Sequence, residues 1–164
     1  MTATLGMAVA QSSAPSTASA NLVSIRVKVE NEHDDPKDST TEVVVKKLNI
    51  ELSAANSVTG SVQVNSTFYS RDLGSNTTVV EKKLESSANL DSSHSAVVTT
   101  APVQFTYTPA FSKKVGNGRR AKFTKVEATG RKFYGWSVQI VQDGRLLGQA
   151  SSASFLGENS KRSD

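Results

Sequence analysis

The chain has no cysteine, so neither a disulfide framework nor a thiolate metal site is available to it. Cysteine absence does not by itself choose a compartment. There are only 2 histidines, His33 and His94, and both lie in polar stretches. No serine sits in a Gly-x-Ser-x-Gly elbow. Nucleophilic catalysis therefore has no local sequence support, although triads assemble from distant residues. No apolar run approaches the roughly 18–20 residues of a membrane-spanning helix. No window of about 12 residues carries an apolar period of 3.6. Hydrophobic content is only 37%, and 39 residues are Ser or Thr, types that suit strand faces and turns.

What is present is period-two alternation. The clearest case is 134–148, YGWSVQIVQDGRLLG. Trp136, Val138 and Ile140 alternate with Ser137 and Gln139, Asp143-Gly144 follows, then Leu146 and Leu147. Asp-Gly between such runs predicts a hairpin, because a type I′ turn needs positive φ at both central residues. Strands are expected at 133–142 and 145–150, with Ile140 opposite Leu147 and Val141 opposite Leu146. The phase of Trp136 places it in the core, where truncation to alanine would cost roughly 3–5 kcal/mol.

The rest of the chain reads alike. In 22–30, Val23, Ile25, Val27 and Val29 face one side, against Ser24, Arg26, Lys28 and Glu30. A polar acidic loop is expected at 31–41, then a strand at 43–53 burying Leu48, Ile50 and Leu52. A strand at 61–70 presents Val62, Val64 and Phe68, and 71–77 turn through Gly74 and Asn76. Residues 78–84 form a short edge strand marked by Glu81, Lys82 and Lys83. The Ser-rich 85–95 reads as loop. A long strand, or two joined at Pro102, covers 96–108, and Pro109 ends it. Residues 110–120 read as a basic loop and 121–128 as a minor strand.

This is an all-β chain with about seven main strands, and the expected fold is an antiparallel β-sandwich. The count suits an immunoglobulin- or fibronectin-III-like arrangement, an analogy of pattern without the Cys…Trp…Cys signature; a jelly roll is the alternative. A single domain is expected over 21–156, with a polar tail at 157–164. Residues 1–20 are small and uncharged, with Ala-x-Ala-like sites at Ala8-Val9-Ala10 and Ala18-Ser19-Ala20. They read as the remnant of a signal peptide whose start lies upstream, or as a disordered tail.

Charge is uneven. The net +4 is concentrated in 111–164, which carries 11 Lys/Arg against 4 Asp/Glu. The basic segment is Lys113, Lys114, Arg119, Arg120, Lys122, Lys125, Arg131 and Lys132, interleaved with Phe111, Phe123, Phe133 and Tyr134. Such a patch suits an anionic polysaccharide, lipid headgroups or an acidic protein; stacked bases are possible in principle, but an exported chain rarely meets nucleic acid. The plainer reading is a solvated loop with its aromatics turned inward. Within it, Lys113, Lys114, Arg119 and Arg120 are binding candidates. Tyr69 and Arg71 are further candidates, because Tyr69 falls on the face opposite Phe68 at a strand end, and exposed Tyr and Arg suit interfaces. Set against this is a Tyr lid with Arg71 and Asp72 holding the turn. Glu30, Glu32, His33, Asp34, Asp35 and Asp38 offer oxygen ligands for calcium, but the spacing is not that of an EF-hand. No metal or cofactor is expected. Asn65-Ser66-Thr67 and Asn76-Thr77-Thr78 match the glycosylation sequon.

The function expected from this set is a non-catalytic, exported binding or scaffold module at a bacterial cell envelope or surface. Its location would be periplasmic, cell-surface or extracellular, and its partner an anionic glycan or another protein met through 113–132. A self-assembling coat or filament subunit is the alternative. A carbohydrate-active enzyme ranks below both, since no spacing selects a carboxylate pair.

Overall fold

The computed structural model describes residues 21–34, 40–116 and 121–153, and the side chains of 33 and 34 are not among the described groups. Every element is a strand and every pairing is antiparallel. Strands β1 (Val23–Asp34), β2 (Glu42–Ala54), β3 (Gly60–Asp72) and β4 (Thr78–Leu90) are long. Strands β5 (Ser95–Thr99), β6 (Val103–Thr108), β7 (Phe111–Val115) and β8 (Lys122–Val126) are short. A 14-residue β9 (Thr129–Gln142) and β10 (Arg145–Ser151) complete the set. The described residues thus hold ten strands where about seven main ones were expected; β5 and β8 match the expected split at Pro102 and the minor strand, and the five-residue β7 is new.

Hydrogen bonding runs β1-β2-β6-β9-β3-β4, with β5 on β2 and β10 on β9, while β7 and β8 pair apart from it. This path doubles back on itself, because residues from β1, β2 and β6 meet residues from β3, β4, β9 and β10 in one core. The alternation explains the orientation. Leu48, Ile50 and Leu52 are buried, as are Val62, Val64 and Phe68 opposite them and Val138 and Ile140. Phe105 sits between Phe68 and Phe133, at centroid separations of 6.4 and 5.2 Å. Phe68 and Phe105 are fully buried, and each contributes about 1.5–3 kcal/mol by leaving water.

The two halves touch at two seams, and a glycine lies at each. At one, β9 crosses β6 through the pairs Tyr107–Gly130 and Thr108–Thr129. Gly130 has φ +91°, and a Cβ there would lie 2.6 Å from the Thr106 carbonyl oxygen, so only glycine fits both ways. At the other, Leu22 N–H donates to the Leu147 carbonyl at 2.8 Å. A Cβ on Gly148 would lie 2.4 Å from the Val23 carbonyl oxygen.

Several expectations change. The acidic loop begins later than expected, since 31–34 continue β1 against Val43–Lys46 of β2. The Ser-rich segment is strand as far as Leu90, because Ala88 and Leu90 reach the core and a bulge opposite Phe68/Tyr69 shifts the phase of β4. Residues 111–115 are β7, not loop. The break between β5 and β6 falls at Thr100-Ala101-Pro102, as the proline required. There Thr100 substitutes for a ladder residue: its N–H donates to the Leu48 carbonyl, and its Oγ1 accepts from Leu48 N–H at 3.0 Å.

The terminal hairpin turns at Asp143 (φ 50°) and Gly144 (φ 75°). Val141 pairs with Leu146, but Ile140 pairs with Gly148 rather than Leu147, because a bulge intervenes. The bulge turns Leu147 into the core, where it is buried. Trp136 is half-buried and packs against the rim of that core rather than lying within it. Among the described residues no helix is long and apolar enough to cross a membrane.

Candidate binding surface

Strands β7 and β8 form a two-stranded ribbon that pairs only with itself and contributes no residue to the core cluster. Its rungs are Phe111–Val126, Ser112–Lys125, Lys113–Thr124, Lys114–Phe123 and Val115–Lys122. Cross-strand partners share a face and successive rungs alternate. Lys113, Val115 and Lys122 therefore lie on one face, and Lys114, Phe123 and Lys125 on the other. Phe123 is 72% exposed and Val115 52%. Lys113, Lys114, Lys122 and Lys125 are all exposed.

The basic segment is not one patch. Arg131 meets Glu81 at 3.4 Å, and Lys125 meets Glu127 at 3.0 Å. Lys132 lies over the Tyr107 ring at 5.2 Å, while the Tyr107 hydroxyl donates to Glu42. Such ring contacts are worth about 0.5–1 kcal/mol at exposed sites. Lys113, Lys114 and Lys122 keep no acidic partner among the described residues. Arg119 and Arg120 lie outside the described residues. Of the interleaved aromatics, Phe133 packs on Phe105 and Phe111 is half-buried, leaving Phe123 outward.

Tyr69 is not an exposed interface residue. It is 3% exposed, and its hydroxyl bonds Ser137 Oγ at 3.2 Å. Two bulges lie beside it, with Glu81 the extra residue of β4 opposite Phe68/Tyr69 and Tyr134 that of β9 opposite Tyr69/Ser70. Phe68, Tyr69 and Ser70 are buried in succession, so both faces of β3 are covered there. Arg71 is half-buried, donates from Nε to Asn76 Oδ1 at 2.7 Å, and stacks on Tyr134 at 5.4 Å. It belongs to the β3–β4 turn. So does Asp72, whose Oδ1 accepts from Ser75 N–H, Gly74 N–H and the Ser75 hydroxyl. Those bonds, from Ser75 first, hold its carboxyl below the usual carboxylate range.

Lys46 is a cation that sequence reasoning missed. It shares the phase of Leu48, and its Nζ lies 5.1 Å from the Phe133 ring centroid and donates to Asn31 Oδ1. Burial lowers its pKa. The signal available was a lysine on the apolar face of a strand.

The remaining candidates are dispersed. Among the described residues no three His, Cys, Asp or Glu side chains converge on a point that could hold a metal ion. Asp35 and Asp38 lie outside the described residues, and Glu32 is tied to Lys47 at 2.7 Å. His94 has φ 52° and places Nδ1 3.2 Å from the Val58 carbonyl oxygen, so it serves a turn. Asn65 lies in mid-sheet between Glu85 and Gln139, whereas Asn76 is on an exposed turn. An open depression of about 420 Å³ on β1, β2 and β5 is lined by Ser24, Ser53, Ser95 and Val97 beside the exposed pair Arg26–Glu51.

No protein-family model matches this chain, and no curated protein matches it. A crystal structure from Akkermansia muciniphila is similar at 10% identity and TM-score 0.30, over 90% of this chain and 80% of that one. A likeness at that score carries no argument about fold or function.

Proposed function

We propose that this chain is a non-catalytic, exported binding or scaffold module, built on an immunoglobulin- or fibronectin-III-like sandwich and acting at a bacterial cell envelope or surface. The observation that carries the reading is the exposed basic ribbon beside a closed β body. In the body, Arg131, Lys132, Arg71 and Lys46 are each engaged by an acid, an amide or a ring, while Lys28, Lys82, Lys83 and Arg145 stay exposed. The ribbon leaves three lysines and an aromatic ring facing solvent. A rigid platform carrying an unpartnered cationic element is suited to recognition by charge and shape. The small, uncharged residues 1–20 with their Ala-x-Ala-like sites support export.

Fractionation of cells expressing the complete gene tests this. Recovery from the envelope or the medium is expected. Retention in the cytosol overturns the export reading. Hydrolysis of a glycan panel, abolished by changing a single carboxylate, would overturn the non-catalytic one.

A further inference from the structure

We infer that two copies of this chain join through the free edge of β1, the two strands pairing antiparallel about a two-fold axis at Val29. The inference goes beyond the reading above and does not depend on it. Three observations carry it. First, β1 is an edge open to pairing. It holds 12 residues, and among the described residues it pairs with β2 alone, in a register without a bulge. Exposed edges are ordinarily blunted by bulges, prolines, short strands or lysines. The edge strand β4 carries a bulge and the adjacent Lys82 and Lys83, and β10 is 7 residues long and bulged. Strand β1 has no bulge, no proline and no adjacent lysines.

Second, backbone and apolar groups at this edge lack cover. Leu48 turns both its N–H and its C=O to Thr100, on the far side of β2. Val29, opposite Leu48, therefore forms a non-hydrogen-bonded pair with it and directs its own N–H and C=O to the free edge. The alternation repeats at Val27 and Asn31. Ile25, Val27 and Val29 line the core side of β1 yet stay half-buried, whereas Leu48, Ile50 and Leu52 beside them are buried. An added strand supplies both the hydrogen bonds and the cover.

Third, the solvent face of β1 is self-complementary in charge, Arg26 and Lys28 preceding Glu30 and Glu32. In the antiparallel register centred on Val29, Lys28 lies opposite Glu30 of the second copy and Arg26 opposite its Glu32. Each pair occurs twice by symmetry, and an isologous edge closes as a dimer. Centring on Val27 sets Arg26 against Lys28, and centring on Lys28 or Glu30 sets that residue against itself. Among the described residues neither Lys28 nor Glu30 makes an ion pair within its own chain, and Arg26 reaches Glu51 only at 3.9 Å. Glu32 holds Lys47 through Oε1, at 2.7 Å, which leaves Oε2 for Arg26.

The test is sedimentation velocity on the full chain from roughly 5 to 500 µM, the span in which a small interface associates, with amide hydrogen exchange at both ends. A monomer–dimer equilibrium is expected. The amides of Val27, Val29 and Asn31 should slow on dimerisation, while those of Lys28 and Glu30, which face β2, stay slow throughout. Lys28→Glu and Glu30→Lys should each weaken self-association about 10–100-fold, because two cross-strand attractions become repulsions. Mixed together, the two variants should associate as tightly as the parent, since every pair across the axis is again of opposite sign.

Both positions are exposed, so thermal midpoints should stay near the parent's and separate lost pairing from lost folding. A monomer at every concentration overturns the proposal. So does a dimer whose Val27 and Val29 amides exchange as fast as in the monomer, or one indifferent to both charge reversals. Failure of the mixed variants to associate overturns the axis at Val29.

Discussion

Replacing Gly148 with alanine tests whether the β1–β10 seam is as close as its geometry says. The added Cβ would lie 2.4 Å from the Val23 carbonyl oxygen and 3.4 Å from its carbon. The obstacle is backbone, so no side-chain rotation relieves it. To reach an ordinary contact β10 must retreat by roughly 1 Å, a shift that a close-packed interior resists. That retreat stretches the 2.8 Å bond from Leu22 N–H to the Leu147 carbonyl, and it draws the buried Leu147 out of the core. Overpacking of this kind costs about 1–3 kcal/mol, and the weakened hydrogen bond about 0.5–1.5 kcal/mol more. Together they predict a loss of about 1.5–4.5 kcal/mol. For a chain of this length each kcal/mol lowers the midpoint by roughly 2–4 °C. Urea unfolding should show a lower midpoint concentration at unchanged slope. Gly144→Ala is the control, because nothing lies within 4 Å of its Cβ and only the φ of +75° opposes it. Equal effects at the two glycines would refute the seam.

Phe68→Ala should cost about 3–5 kcal/mol, since the ring is fully buried. Trp136→Ala should cost about 2 kcal/mol, less than its phase suggested, because the indole covers the rim only; calorimetry on both variants orders them. Thr100→Val leaves the buried Leu48 N–H without its acceptor and should cost about 1–3 kcal/mol, whereas Thr100→Ser should recover most of it. Acid stability should depend on Asp72 and Asp91. Serine hydrogen bonds, from Ser75 and Ser93, depress both carboxyls below 3.8 in the folded state. Their contribution is full above that value and is lost as pH falls through the folded pKa. Asp72→Asn with Asp91→Asn should flatten the acid limb of stability below about pH 4, while above it stability falls by an amount that does not change with pH; an unchanged limb contradicts the assignment.

Most of the fold was legible because alternation reports burial directly. Val23 to Val29, Leu48 to Leu52 and Val138 to Ile140 occupy the faces their phase assigns. Failures cluster where a bulge breaks the period. One lies in β4, opposite Phe68/Tyr69; the strand beyond it, 85–90, was hidden by its serine content instead. Another lies between Leu146 and Gly148 and displaced the expected Ile140–Leu147 pair. A third, at Tyr69/Ser70, makes Tyr134 the extra residue of β9 beside the buried Tyr69. Bulges add a residue without a compositional mark, so a pattern of period two cannot register them. Glycine gave a partial signal: Gly148 marks the point where two backbones meet, yet in the sequence it is one glycine among 10.

The candidate site was legible as charge and not as geometry. A run of lysines and arginines looks uniform along the chain, and the fold divides it by what each cation faces. Strand β9 carries Arg131 to Glu81 of β4 and Lys132 to the Tyr107 ring of β6, contacts between residues 50 and 25 positions apart. The ribbon, having only its own partner strand, offers its lysines no such acceptor beyond Glu127. Neutralising the body's cations therefore disturbs the seam and the β3–β4 turn, whereas neutralising Lys113, Lys114 and Lys122 leaves the core untouched. The ribbon is thus one place, with the exposed Lys28, Lys82, Lys83 and Arg145 of the body, where basic charge is not engaged in holding the fold.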